Sequence, residues 1–148
     1  MNKDDTDWHI SSNRGTASAS FVVERRVANG FQGTIVFAAN SIESPNAASW
    51  ETKLPSVEVA AAAFQSLQEG MERWISDSEG FSATLLSGEI RLNLELRLED
   101  ESLLLGPGKA GLHLVWDGIA APRCEMAFVV DQTCVQESLQ LLRALVTI

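Results

Sequence analysis

The sequence is poor in the residues that most often carry chemistry or cross-links. It has two cysteines, two histidines, no tyrosine, and 11 basic residues against 20 acidic ones, which gives a formal net charge of −9. Because a nucleic-acid backbone repels such an excess of carboxylates, we expect no nucleic-acid partner. The histidines are too few and too widely spaced for a metal site, so we expect neither a metal nor a cofactor.

The cysteines and the amino-terminal residues indicate a reducing compartment. Cys124 and Cys134 lack the C-x-x-C spacing of a redox motif, so we expect both to be reduced and to pack as small hydrophobic residues. Acidic side chains occupy the first 14 residues, where a signal peptide carries basic ones, and no apolar run approaches the roughly 20 residues that span a bilayer. We therefore expect a cytoplasmic protein with no membrane partner.

No set of residues predicts a catalytic or cofactor-binding site. Gly106 to Gly111 match G-x-G-x-x-G by letter, but they lead into a strand pattern, whereas a phosphate-binding loop leads into a helix. His9 falls in a polar segment and His113 alternates with leucines, so neither is placed to serve as the base of a cysteine nucleophile. We expect no enzymatic activity.

The length and composition predict one soluble domain. The chain has 148 residues, of which 45% are hydrophobic and 21% charged. Residues 1–17 predict a polar N-terminal arm or a short edge strand, and residues 18–148 predict a single α+β domain without an internal repeat. Two strand-like runs on either side of Asn29-Gly30 predict a hairpin over residues 18–39 with a type I′ turn. A polar loop over residues 40–55 follows.

Two helices are predicted from apolar residues spaced three and four apart. The first takes Ser56 as its N-cap, and its apolar stripe is Val57, Ala60, Phe64, Leu67, Met71 and Trp74. The second follows a capping-box pattern at Thr133 and Gln136, and its stripe is Val135, Leu139, Leu142 and Val146.

The clearest strand signal runs from Phe81 to Leu98, where apolar and polar residues alternate on both sides of Ser87-Gly88. A two-residue turn there pairs Phe81 with Leu94 and places the apolar pairs on one face. Further strands are predicted at residues 102–105, 111–117 and 123–130, the last of them central in the sheet. The fold class is therefore α+β, a mostly antiparallel β-meander sheet of six to eight strands with two helices packed on one face.

The acidic residues are concentrated in the second part of the chain, where residues 61–148 hold 13 acidic and 6 basic side chains. One predicted strand and the turn after it contribute Glu89, Glu95, Glu99, Asp100 and Glu101. They form either a solvated strand face or an acidic surface for a basic partner. Trp50 falls in the predicted polar loop, where a large aromatic residue either fills the core or awaits a partner. These six are the candidate partner-binding residues.

Three local patterns occur in a suggestive order. Phe31-x-Gly33 opens a strand, a long helix carries Leu67 and Trp74, and Asp131-Gln132-Thr133 leads into a leucine-rich final helix. Over roughly residues 20–146 this layout resembles the small immunity proteins of bacterial polymorphic toxin systems, the WapI type, although Cys134 stands where an aromatic residue often follows the threonine. The resemblance implies a cytoplasmic protein that binds and blocks a cognate toxin, frequently a nuclease.

Two other classes of function remain open from the sequence. A small-molecule or lipid-binding domain would need an open apolar pocket above roughly 300 Å³ between sheet and helices. A hydrolase would need a cleft where a carboxylate or a cysteine meets a polar partner. The sequence indicates no oligomeric state.

Overall fold

The computed structural model describes residues 7–39, 50–99, 105, 108–118 and 121–146. In chain order, its elements are β1 (Trp8–Ser11), β2 (Ala17–Val27), β3 (Gly30–Ala39), β4 (Trp50–Ala60), α1 (Ala61–Asp77), β5 (Phe81–Ser87), β6 (Ile90–Arg97), β7 (Lys109–Gly118), β8 (Ala121–Asp131) and α2 (Gln132–Val146). The predicted α+β class is confirmed. The strands form two four-stranded antiparallel sheets, β1-β2-β3-β4 and β5-β6-β7-β8, where the sequence predicts one.

The two sheets belong to two halves of the chain with the same layout. Each half has four antiparallel strands followed directly by a helix, and β4 and β8 are each 11 residues long. Gly30 pairs with Ala60 where β3 meets β4, and Lys109 pairs with Asp131 at the same place in β7 and β8. Each helix also reaches the sheet of the other half, because α1 packs on β5 and α2 packs on β1. The fold is therefore a structural duplication.

Two aromatic residues lie where the halves meet. Phe37 is the eighth residue of β3, and Trp116 is the eighth residue of β7. Their rings stack with centroids 3.9 Å apart and planes within 4° of parallel. Equivalent residues touch each other only near the axis that relates two halves, so this stack marks an approximate two-fold axis of the fold.

The two helices face the core with residues of their predicted apolar stripes. In α1 the predicted stripe residues Phe64, Leu67, Met71 and Trp74 are buried, and in α2 Val135, Leu139 and Leu142 are buried. The ring of Phe64 lies 5.6 to 6.3 Å from those of Trp8, Phe21 and Phe31, measured between centroids. Trp8 also donates a hydrogen bond through Nε1 to Oγ of Ser138 in α2, at 2.7 Å.

Several predicted boundaries are wrong. Within residues 1–17, Trp8–Ser11 form the short edge strand β1, one of the two predicted alternatives, and its Trp8 and Ile10 are only 2% and 1% exposed, so these residues pack in the core of the domain. Trp50 to Ala60 form a strand, whereas a loop and a helix start are predicted there. The error arose because Val57 fits a helical stripe and a strand pattern equally well. Most of the predicted strand 102–105 lies outside the described residues.

The turns also differ from their predictions. The first hairpin exists, but its loop is Ala28-Asn29, and neither Asn29 nor Gly30 has the positive φ of a type I′ turn. Gly30 is needed for a different reason, because a Cβ there would lie 2.2 Å from the carbonyl oxygen of Val59. In the β5–β6 hairpin Phe81 pairs with Leu96, two residues beyond its predicted partner. The strand over residues 123–130 lies at a sheet edge and is not central.

The final helix is capped two residues earlier than predicted. The carboxylate of Asp131 accepts a hydrogen bond from the backbone N of Cys134 at 3.0 Å. This bond lowers the pKa of Asp131 below its usual value. Asp131 therefore serves as the N-cap of α2 in place of Thr133.

Helix α1 approaches β5 closely at Gly70, which gives a stability prediction. A Cβ on Gly70 would lie 2.4 Å from Cδ2 of the Phe81 ring. We expect Gly70→Ala to lower the free energy of unfolding by about 1 to 3 kcal/mol, despite the roughly 1 kcal/mol that alanine gains in helix propensity. Urea unfolding measures the change. In a Phe81→Leu background the same substitution should cost less, and an equal cost in both backgrounds would exclude the ring contact as its cause.

Candidate functional site

The predicted acidic residues that the structure describes lie along the β5–β6 hairpin. Glu89 is exposed in the turn between β5 and β6, Glu95 lies within β6, and Glu99 is exposed just after it. Because an extended chain rises about 3.3 Å per residue, Glu89 and Glu99 are roughly 30 Å apart at opposite ends of the hairpin. Asp100 and Glu101 lie outside the described residues.

Three charged side chains of β6 are already in ion pairs, Arg91 near its start and Glu95 and Arg97 near its end. Glu95 accepts a hydrogen bond from Nε of Arg97 at 2.9 Å, and Arg91 contacts Asp117 of β7 at 3.1 Å. Because these pairs are largely exposed, each is worth little in stability. They nevertheless neutralise part of the negative charge of the face, whereas Glu89 and Glu99, beyond the two ends of β6, have no ion-pair partner among the described residues.

At the Glu99 end, carboxylates gather beside an exposed apolar side chain. Since Phe81 pairs with Leu96, the segment before β5, with Glu79, runs beside the segment after β6, with Leu98 and Glu99. Leu98 is 41% exposed. Asp77 ends α1 immediately before this segment. We call Asp77, Glu79, Leu98 and Glu99 the acidic end.

The acidic end is unfavourable for the helix that it terminates. The carboxyl end of a helix carries a partial negative charge and favours lysine or arginine, yet the last turn of α1 has no basic residue and ends on Asp77. Among the residues that the structure describes, Asp77, Glu79 and Glu99 have no ion-pair partner. Local choices that oppose stability are typical of functional surfaces. A surface cleft of about 540 Å³, lined by residues 80–82 and 95–98, adjoins this end.

At the Glu89 end, a second cleft separates β4 from the β5–β6 turn. Its volume is about 650 Å³, and it is lined by residues 55–58 of β4 and by residues 86–90. We call it the β4–β5 cleft. Both clefts open on the surface beside the hairpin, whereas the alternative small-molecule site is expected between sheet and helices.

Trp50 is the first residue of β4 and is 46% exposed, so it does not fill the core. It lines neither of the two clefts. Along the strand it is five residues, about 17 Å, from Pro55 at the edge of the β4–β5 cleft. The structure therefore does not bring Trp50 together with Glu89.

Three acidic residues of these surfaces were missed from the sequence. Glu58 falls within the first predicted helix but outside its apolar stripe, and the structure places it in β4. Asp77 and Glu79 are 20 or more residues from Glu99 in sequence, and only the pairing of β5 with β6 brings the two segments side by side. For Asp77 and Glu79, the sequence signal is the absence of a basic residue at the end of the first predicted helix.

Clusters of metal ligands, thiols and membrane-spanning helices are the other features that could carry a function. No group of three or more metal-ligating side chains occurs within the described ranges. Cys124 and Cys134 form no disulfide, and burial raises the pKa of Cys134. No helix in the described part of the chain is both long and apolar enough to cross a membrane.

Comparison with known proteins gave no relative. No family model, no curated protein and no solved structure matches this chain.

Proposed function

We propose that this chain is a non-enzymatic immunity protein, which binds a cognate bacterial toxin and neutralises it through the β5–β6 hairpin. The observation that carries the proposal is the acidic end, where unpaired carboxylates lie around the exposed Leu98. An exposed apolar side chain with carboxylates on neighbouring segments is the composition expected of a surface that attracts a charged partner and then excludes water. The resemblance to WapI-type immunity proteins supports the same function.

The dimensions of the hairpin suit one protein partner. A typical interface covers about 800 Å² on each side, which corresponds to a patch roughly 30 Å across. The distance from Glu89 to Glu99 is similar, so a single toxin can contact both charged ends. The paired residues between them, such as Arg91 with Asp117, then supply fixed polar groups that favour one binding register.

The charge of the surface defines the chemistry of the partner. A nuclease must present lysines and arginines to the phosphates of its substrate. An inhibitor that offers carboxylates to those side chains gains attraction at long range and competes with the substrate. The proposed partner is therefore a basic toxin domain of the nuclease class, met in the cytoplasm of the cell that makes this protein.

Charge reversal at the acidic end tests the proposal. We expect the double variant Glu79→Lys and Glu99→Lys to associate with the toxin roughly tenfold or more slowly at low salt, and with a weaker salt dependence. Stopped-flow fluorescence at several salt concentrations measures both effects. Circular dichroism verifies the fold of the variant.

The matched control changes the net charge equally at other sites. Glu69 and Glu137 are exposed on α1 and α2, so Glu69→Lys with Glu137→Lys alters the total charge without touching the hairpin. This control should slow association much less. An unchanged rate in the test variant, or an equal loss in both variants, would remove the acidic end from the interface.

A further inference from the structure

The duplicated fold contains two equivalent junctions between its sheets, and they differ. At one junction the loop between β1 and β2 reaches β8, where the backbone N of Asn13 donates a hydrogen bond to the carbonyl oxygen of Val129 at 2.9 Å. The other junction lies between β4 and the β5–β6 turn. Glu58 is the equivalent of Val129, because Glu58 pairs with the third residue of β3 and Val129 with the third residue of β7. Here the β4–β5 cleft is open.

Loop length and a bulge explain the difference. The β1–β2 loop has five residues, and Oγ of Ser12 folds it by accepting hydrogen bonds from the backbone N of Thr16 and Ala17. The β5–β6 turn has two residues and is too short to fill the equivalent space. On the opposite wall, β4 has a bulge at Pro55 and Ser56, where the pairing with β3 shifts and Ser56 takes a φ of 55°.

The walls of the cleft combine apolar surface with negative charge. Val57 and Leu86 are buried beneath it and Ile90 is half-buried, which gives it an apolar floor. Glu58 and Glu89 are exposed on its rim, and neither has a side-chain hydrogen bond or an ion pair within the described residues. Among the described residues, no lysine, arginine or histidine lines the cleft. The carbonyl oxygen of Glu58, equivalent to the one that accepts from Asn13 at the closed junction, adds a further acceptor.

We propose that the β4–β5 cleft receives an arginine side chain of the partner protein. The methylene groups of arginine would cover the apolar floor, and its planar guanidinium carries five donors and no acceptor, which matches a rim of carboxylates and a carbonyl. Lysine fits less well, since its compact ammonium is more strongly hydrated. That the partner is a toxin rests on the proposed function, whereas the preference for arginine rests on the cleft alone.

The test uses a small probe and the full chain. The peptide acetyl-Gly-Arg-Gly-amide is titrated into ¹⁵N-labelled protein, and the backbone amide signals are followed by NMR. We expect saturable shifts confined to residues 56–58 and 86–90, since Pro55 has no amide N–H. The same peptide with citrulline, which keeps the shape of arginine without its charge, should give no saturable shift. Shifts elsewhere, or equal shifts with citrulline, would overturn the proposal.

Variants identify the carboxylates that bind. Glu58→Gln with Glu89→Gln should weaken the binding of the arginine peptide by about tenfold, as expected for the loss of charge-assisted hydrogen bonds. Glu69→Gln with Glu137→Gln removes the same charge from the helices and should leave the affinity within about twofold. Equal weakening in both pairs would mean non-specific attraction and would overturn the site.

This experiment separates the cleft from the proposed function. Saturable arginine binding at the cleft, combined with no protection against any toxin, supports the cleft and rejects the toxin as its occupant. Protection against a toxin without arginine binding supports the immunity function and rejects the cleft as an anchor.

Discussion

Replacing Trp116 with alanine is expected to lower the free energy of unfolding by about 3 to 5 kcal/mol. Trp116 is 5% exposed and its ring stacks on that of Phe37, so the substitution opens a cavity where the two sheets meet. Because this contact joins the halves of the duplicated fold, its loss affects both of them at once. Urea denaturation followed by circular dichroism gives the change in midpoint and slope.

Trp50→Ala is the matched control for that substitution. Trp50 is 46% exposed, so the same change of side chain should cost under about 1 kcal/mol. Similar losses at Trp50 and Trp116 would contradict the placement of Trp116 between the sheets. Two separate unfolding transitions in the wild-type protein would also contradict it, because the stack joins the halves into one cooperative unit.

Leu94→Ala is expected to cost about 2 to 5 kcal/mol. Leu94 is fully buried at the centre of β6, where it pairs with Ala83 on one side and with Leu114 on the other. Its neighbour Asn93 points to the opposite face, is exposed, and accepts a hydrogen bond from Thr84 at 2.8 Å. Asn93→Ala should therefore cost under about 0.5 kcal/mol. A larger shift of the urea midpoint for Asn93 than for Leu94 would show that the faces of β6 are reversed.

The faces of β6 were predictable although its register was not. Phe81 pairs with Leu96 and not with Leu94, which is a shift of two residues. Side chains alternate with a period of two along a strand, so this shift leaves every residue of β6 on its predicted face. A bulge between Thr84 and Leu86 then shifts the pairing by one residue, so that Leu86 pairs with Leu92. No sequence pattern marks this bulge.

The duplication was hidden because equivalent positions hold different residues. Phe37 is equivalent to Trp116, and Phe64 of α1 occupies the place of Val135 in α2, as the fourth residue of each helix. Hydrophobic residues of different size can fill equivalent positions when their neighbours change as well. The sequence preserves the apolar pattern of each half but not the residues that would show a repeat.

The candidate surface was only partly predictable, because some of its contacts join segments that are distant in the sequence. Glu89, Glu95 and Glu99 were assigned to one strand and its flanking turns, and the structure places them there. The pairing of Glu95 with Arg97 depends on side-chain geometry. The position of Glu58 across a cleft from Glu89 depends on the packing of β4 near β5. Such contacts between distant segments are set by the tertiary fold.

The most direct test of the central claim, that this chain neutralises a basic bacterial toxin, is a growth measurement. We expect a toxin gene to neighbour this one, and cells expressing that toxin are compared with and without this protein. We predict that the wild-type chain restores growth, and that the variant with Glu79→Lys and Glu99→Lys protects less at the same level of folded protein. Continued growth arrest in the presence of the folded wild-type chain, or the absence of any neighbouring toxin gene, would contradict the account.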